Sequence, residues 1–226
     1  MTGMAEAFAL LQWGDSFFPT GAASFSWGLE TLRADGRLRN AQDVAGFVAG
    51  QIDQRWSTFD RPAVMAAYRA NGDLDRVAAV DQEVEAGTLA REAREGGRRI
   101  GAALLKVHAE LGTPGAAAYR ERVQRGEVPG QMAAMQGLIG RATGLSGPAV
   151  CALSAYGVAV GIVSAALRVG LIGHMDAQRI LAAQRDRADG LASSATAEED
   201  GLHAYVPMTE IAMMRHETGS GRLFAN

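Results

Sequence analysis

Four histidines, one cysteine and one lysine are where metal, nucleophile or phosphate chemistry would first be sought in this chain. His108, His174, His203 and His216 are scattered. None falls into the H-x-x-x-H or H-E-x-x-H spacing that turns two imidazoles toward one metal, so structural or surface roles are expected and no metal site is assigned. Cys151 stands alone, which excludes an internal disulfide and a thiolate cluster, and its apolar neighbours disfavour the thiolate a nucleophile needs. Lys106 lies within a helical pattern and lacks the G-x-x-x-x-G-K-[ST] loop that cradles phosphate. No G-x-S-x-G elbow is present either. The adjacent pair His216 and Glu217 is the one attractive acid/base combination, and it lies on a terminus expected to be mobile, whereas a catalytic pair needs rigid support. No catalytic residue and no cofactor are assigned. A small helical enzyme using His216 and Glu217 as acid and base is the alternative reading.

The elements that must position any site are helical. Apolar residues recur at helical spacing and no run alternates with period two. With 226 residues, 48% of them hydrophobic, one sizeable core is affordable. The reading is an all-α, single-domain bundle of about eight to ten helices spanning residues 1–226, with a flexible C-terminal tail at 218–226. A formal charge of −3 argues against nucleic acid as a partner. No basic segment followed by an apolar one opens the chain, so a cytoplasmic location is expected.

In chain order, Phe8, Leu11 and Gln12 place a stripe on an opening helix that ends at Gly14. Asn40 precedes a helix over 41–56, Asp60 with Pro62 starts the next, and Asp73 caps another. Residues 88–111 form a long amphipathic helix whose seam is Leu89, Ala93, Gly97, Ile100, Leu104, Val107 and Leu111. Arg91, Arg94, Glu95, Arg98 and Arg99 crowd its other side as a solvated face, with Arg91 pairing Glu95. Met132, Met135, Leu138 and Ile139 face inward on a helix over 131–143. Residues 149–167 carry no charge, but Ala, Gly and Ser dominate them, so they are expected to form a central buried helix and no membrane span. Residues 193–200 read as a linker, and a short helix follows Pro207.

The stretch QWGDSFFPTGAASFSWGLE, residues 12–30, joins aromatics to turn formers. Ser26 is placed as an N-cap, with a short helix over 27–35 stopped by Gly36. A loop this apolar is buried or awaits a partner.

Four segments carry a family resemblance, in order. Ser24, Ser26, Gly28, Leu29 and Glu30 fit S-x-S-x-G-L-E after a Pro-x-Gly turn. LAREARE at 89–95 resembles L-A-R-E-T-R-E, and Arg168, Gly173, Gln178, Arg179 and Leu181 fit R-L-x-P-L-G-Q-x-x-G-Q-R-x-L. MRHET and RLF at 214–224 resemble M-R-H-E-T-x-x-x-R-L-F. These are motifs of the urease accessory protein UreF family. Ala23 stands where the family usually has phenylalanine, Gln131 where it has histidine, Leu171 where it has proline and His174 where it has glutamine.

The resemblance implies an α-helical, homodimeric scaffold without enzymatic activity. Its partners would be UreD (UreH in some organisms) and the GTPase UreG, in a complex that delivers nickel to apo-urease. Carried over by position, Arg215, His216, Glu217, Arg222, Leu223 and Phe224 would bind UreD. Ser24, Ser26, Trp27, Gly28 and Glu30 would shape the dimer or face UreG, and Glu30 would influence the GTPase cycle. A GTPase regulator unrelated to nickel is a further alternative.

Overall fold

The computed structural model describes residues 3–15, 17–19, 26–193 and 201–217. Every regular element among them is helical: α1 (Gly3–Gly14), α2 (Leu29–Ala34), α3 (Ala41–Gln51), a π segment (Ile52–Asp60), α4 (Arg61–Arg69), α5 (Leu74–Gly87), α6 (Arg91–Glu110), α7 (Ala116–Gln124), α8 (Met132–Ala142), α9 (Gly147–Arg168), α10 (His174–Ser193) and α11 (Pro207–His216). Because α3, the π segment and α4 run on unbroken, these elements make ten rods, and the fold is the expected all-α bundle. The caps are local chemistry. Asn40 Oδ1 accepts from the Gln42 and Asp43 amides, Asp73 Oδ1 from those of Asp75 and Arg76, and Ser146 Oγ from that of Ala149.

The apolar helix α9 lies at the centre and packs against α1, α2, α3, the π segment, α4, α8 and α10. Its length and composition would suit a membrane span, yet just over half of its most apolar window is buried against these neighbours. Small residues let the surrounding rods approach. A Cβ on Gly137 of α8 would collide with the Val64 carbonyl of α4, and one on Gly101 of α6 with the Gly130 carbonyl. Asp81, fully buried on α5, caps α8 from outside. Its carboxylate accepts from the Gly130 amide (2.7 Å), the Gln131 amide (2.6 Å) and the Tyr119 hydroxyl (2.9 Å).

Several expectations are refined or corrected. α4 does begin after Asp60 with Pro62 in its first turn, but the π segment runs into it unbroken and the Asp60 side chain forms no cap. Pro62 has no N–H to give, and the Ser57 carbonyl left over is met by Arg61 Nε at 3.4 Å. Other π-segment carbonyls accept from outside: Gln54 from the Tyr205 amide and Thr58 from the His203 amide.

The α1 stripe faces outward, with Phe8 and Leu11 more than two-thirds exposed, while Ala9, Leu10 and Trp13 pack inward. The α6 seam is rotated: Leu89 and Leu111 are exposed, and the buried side runs through Glu92, Gly96, Ile100, Gly101, Leu104, Leu105 and His108. Finally, α2 begins at Leu29, two residues later than expected, and Ser26 is not its cap.

The arginine face of α6 is tied down by tertiary pairs. Arg91 meets Glu217 instead of Glu95, while Arg94 and Arg98 both reach Glu85 on α5. Gln131 is buried where α8 begins, donating from Nε2 to Glu85 (2.6 Å) and to the Arg94 carbonyl (3.1 Å).

Candidate functional site

Three of the four motif segments meet at one point. The chain reaches it through Trp27 (φ 55°) and Gly28 (φ 75°), two successive left-handed residues that turn the backbone into α2. Glycine answers two demands at position 28. It takes the positive φ without strain, and it leaves room for α11, since a Cβ there would sit 3.1 Å from the Thr209 carbonyl and 3.2 Å from Ala212 Cβ. Trp27 has no such freedom and adopts an uncommon backbone region for a bulky residue. Its indole lies over Gly161 of α9, where a Cβ would be 3.1 Å from Nε1.

This turn delivers Glu30 to the first turn of α2. Glu92 occupies the first turn of α6, and His216 the last turn of α11. His216 Nδ1 lies 2.9 Å from Glu92 Oε2, and Nε2 lies 3.3 Å from Glu30 Oε2. The ring therefore bridges carboxylates 124 and 186 residues away in sequence. The side chains of His216 and Glu92 are only 5% and 7% exposed, and that of Glu30 22%. Helix dipoles favour the arrangement, with carboxylates at two positive N-termini and a basic group at a negative C-terminus.

The joint is flanked by further ties between α11 and the body. Arg215 reaches Asp35 beyond the end of α2, at 3.1 Å through Nη2. This bond holds the Asp35 carboxyl below the usual carboxylate range and raises the guanidinium. Arg91 lies 3.3 Å from Glu217, and the Gln51 amide donates to Thr209 Oγ1 at 2.7 Å. Under α11 lies a cavity of about 100 Å³, whose lining includes Trp27, Gln51, Gln131, Ser154, Thr209 and Met213.

Chemically, this is a fastening point. Among the described residues no cluster of three His, Cys, Asp or Glu side chains is arranged to hold a metal ion. His216 and Glu217 are directed to different partners, the first to two carboxylates and the second to Arg91. Cys151 is buried in α9, and burial pushes its thiol up.

Of the residues singled out in the sequence, Ser26 and Gly28 are buried and Trp27, Glu30 and Glu217 half-buried, while Arg215 is exposed. His216 was expected on a mobile terminus and is instead a buried helical residue. Ser24, Arg222, Leu223 and Phe224 lie outside the described residues. Glu92 was missed as a site residue. It lies within LAREARE, but nothing local distinguishes its glutamate from a solvated one.

The comparisons with known proteins agree with these motifs. The sequence model of the UreF family matches residues 38–185, a span that contains Glu92. The chain is 32% identical to the urease accessory protein UreF of Kocuria rhizophila, covering 98% of this chain and 97% of that protein. It is 30% identical to proteins of the same name from Actinobacillus pleuropneumoniae and Yersinia enterocolitica, covering 98% of this chain and 99% of each. Coverage that wide takes in Glu30 and His216 as well. The chain belongs to the UreF family of urease accessory proteins.

Proposed function

We propose that this chain is a non-enzymatic scaffold in nickel delivery to apo-urease. It bridges UreD (or UreH) and the GTPase UreG, and it works as a homodimer in the cytoplasm. UreD takes the segment that begins at Arg215 and continues through Arg222, Leu223 and Phe224. The surface around Ser24, Ser26, Trp27, Gly28 and Glu30 shapes the dimer or faces UreG.

The observation that carries this reading is the meeting of three motif segments at His216. A scaffold that presents a terminal segment needs it to leave from a fixed point. Here α11 is tied through Thr209, Arg215, His216 and Glu217 to α3, α2 and α6. The same ties speak against acid/base chemistry by His216 and Glu217, because neither is positioned to serve the other.

Size-exclusion chromatography with light scattering tests the reading, using the full chain and a chain ending at Glu217, each with and without UreD from the same genome. The full chain is expected to co-elute with UreD in a dimer-based complex, and the shortened one is not. Failure of soluble full-length chain to co-elute with UreD overturns the assignment of partners.

A further inference from the structure

Helix α1 is laid on the body of the bundle with none of its residues buried. Its outer face carries Met4, Phe8 and Leu11, all exposed, and Phe17 just beyond its end is exposed too. Its inner side, Ala9, Leu10 and Trp13, is only partly covered. A helix with so little buried surface opens easily and depends on its specific fastenings. Among the described residues, one lies toward each end. Glu6 Oε1 accepts from the Ser146 amide at the head of α9, at 2.7 Å. At the far end, Trp13 and Phe18 close over His108 of α6, with ring centroids 4.6 and 5.8 Å from the imidazole.

The site around His108 suits a neutral ring. The residue is 2% exposed, and Nδ1 meets Thr113 Oγ1 at 2.9 Å. Nε2 is buried and has no hydrogen-bond partner among the described residues. A neutral imidazole tolerates this by resting its uncharged edge among the aromatic rings. An imidazolium would hold a second N–H and a full charge where no acceptor faces it. Aromatic rings attract a cation, but that attraction is smaller than the cost of burying an unpaired charge.

Both fastenings respond to acid in the same direction. Hydrogen bonding to Ser146 holds the Glu6 carboxyl below the usual carboxylate range, with a smaller effect from the amino-terminal charge. Burial alone pushes His108 down to about 4, and no charge on α5, α7 or α8 adds to that effect. On α6, Lys106 and Glu110 flank His108 in sequence and are exposed. The other titratable groups facing α1 are Asp15, whose Oδ1 accepts from the Phe17 amide, and Tyr156 of α9, which lies beside Gly14. No charged residue of α9 precedes Arg168. Since both folded values are depressed, the attachment is complete above about pH 6.5 and is lost as pH falls toward 4.

We propose that α1 is an acid-released helix, held by ionised Glu6 at one end and neutral His108 at the other, whose protonation frees it with its apolar outer face before the rest of the bundle opens. Trp13 and Phe18 make the device work, because lifting them gives the imidazole access to water and to its second proton.

Hydrogen exchange of the full chain, corrected for intrinsic rates, reads the release. If opening returns His108 from about 4 to an ordinary value of about 6.5, the α1 opening constant rises about twentyfold between about pH 7 and about pH 5. Glu6 adds less than about twofold over that range. Protection of the α1 amides around Trp13 is therefore expected to fall about twentyfold relative to those of α8, and less than about twofold in His108→Gln. Should that variant fold poorly, the His108 ring resonance of the native chain gives a second measurement. It is expected to titrate together with the loss of α1 protection. Native α1 protection that stays level with α8 over this range, or an equal fall in His108→Gln, overturns the proposal. So does a His108 ring that titrates near 6.5 while α1 remains protected.

Discussion

Replacing Gly28 by alanine separates backbone strain from helix docking, because Gly36 supplies a matched control. Both glycines have positive φ, 75° and 68°. An L-residue in that region costs about 1–2 kcal/mol, offset by about 0.4–1 kcal/mol from a less flexible unfolded chain. Around Gly36 an added Cβ meets nothing within 4 Å, so Gly36→Ala carries only the net dihedral cost, about 1 kcal/mol. At Gly28 the same methyl meets the Thr209 carbonyl at 3.1 Å, Ala212 Cβ at 3.2 Å and Met213 Cγ at 3.3 Å, all on α11. Neighbours must give by a few tenths of an ångström, which adds about 1–2 kcal/mol of overpacking.

Gly28→Ala is therefore expected to lose about 2–3 kcal/mol in total. Urea unfolding followed by far-UV circular dichroism, extrapolated linearly, measures both variants. Hydrogen exchange should show α11 loosened in Gly28→Ala and unaffected in Gly36→Ala. If Gly28→Ala proves no more destabilising than Gly36→Ala, the packing of α11 against the motif turn is not what requires glycine there.

Gly101→Ala forces a Cβ into the Gly130 carbonyl, backbone against backbone, and should cost more than about 3 kcal/mol or abolish soluble protein, as thermal melts and soluble yield will show. Asp81→Asn leaves the buried amides of Gly130 and Gln131 and the Tyr119 hydroxyl competing for one carbonyl oxygen, a loss of about 1–3 kcal/mol in urea unfolding at neutral pH. His108 gives a pH dependence of definite sign. Burial pushes its pKa down to about 4, against about 6.5 in an unfolded chain. The unfolded chain thus binds more protons between those values, and the stability His108 contributes is complete above about pH 6.5 and lost as pH falls toward 4. The slope from this one group reaches at most about 1.4 kcal/mol per pH unit. Urea midpoints at about pH 7 and about pH 5 should converge in His108→Gln relative to the native chain.

What the sequence disclosed was mostly local. Asn40 and Asp73 cap their helices through side-chain oxygens two and three residues from their partners, and such chemistry can be read without knowing the fold. The apolar run of α9 likewise announced a helix with many neighbours. The seam of α6 was misplaced because small residues define its buried side. Gly101 lets the Gly130 carbonyl approach, and Gly96 lies with it, Glu92 and His108 on the buried side. A reading that follows large apolar residues selects Leu89 and Leu111 instead, and both are exposed.

The α1 stripe failed for the opposite reason. Phe8 and Leu11 are apolar at helical spacing, yet Ala9, Leu10 and Trp13 take the inner side. Nor could the joint itself be read from spacing. Its parts lie in three segments, each unremarkable alone, with His216 more than a hundred residues from either glutamate, and only tertiary packing joins it to both. The aromatic placed against His108 is similarly remote, with Trp13 of α1 edge-on at 4.6 Å between ring centroids.

The most direct measurement of the scaffold account is nickel incorporation into purified apo-urease supplied with UreD, UreG, nickel and GTP, with this chain present, absent, or ending at Glu217. The account predicts nickel-loaded, active urease with the full chain, and little of either without it or with the shortened form. Equal nickel loading in all three reactions would contradict the claim that this chain bridges the delivery complex.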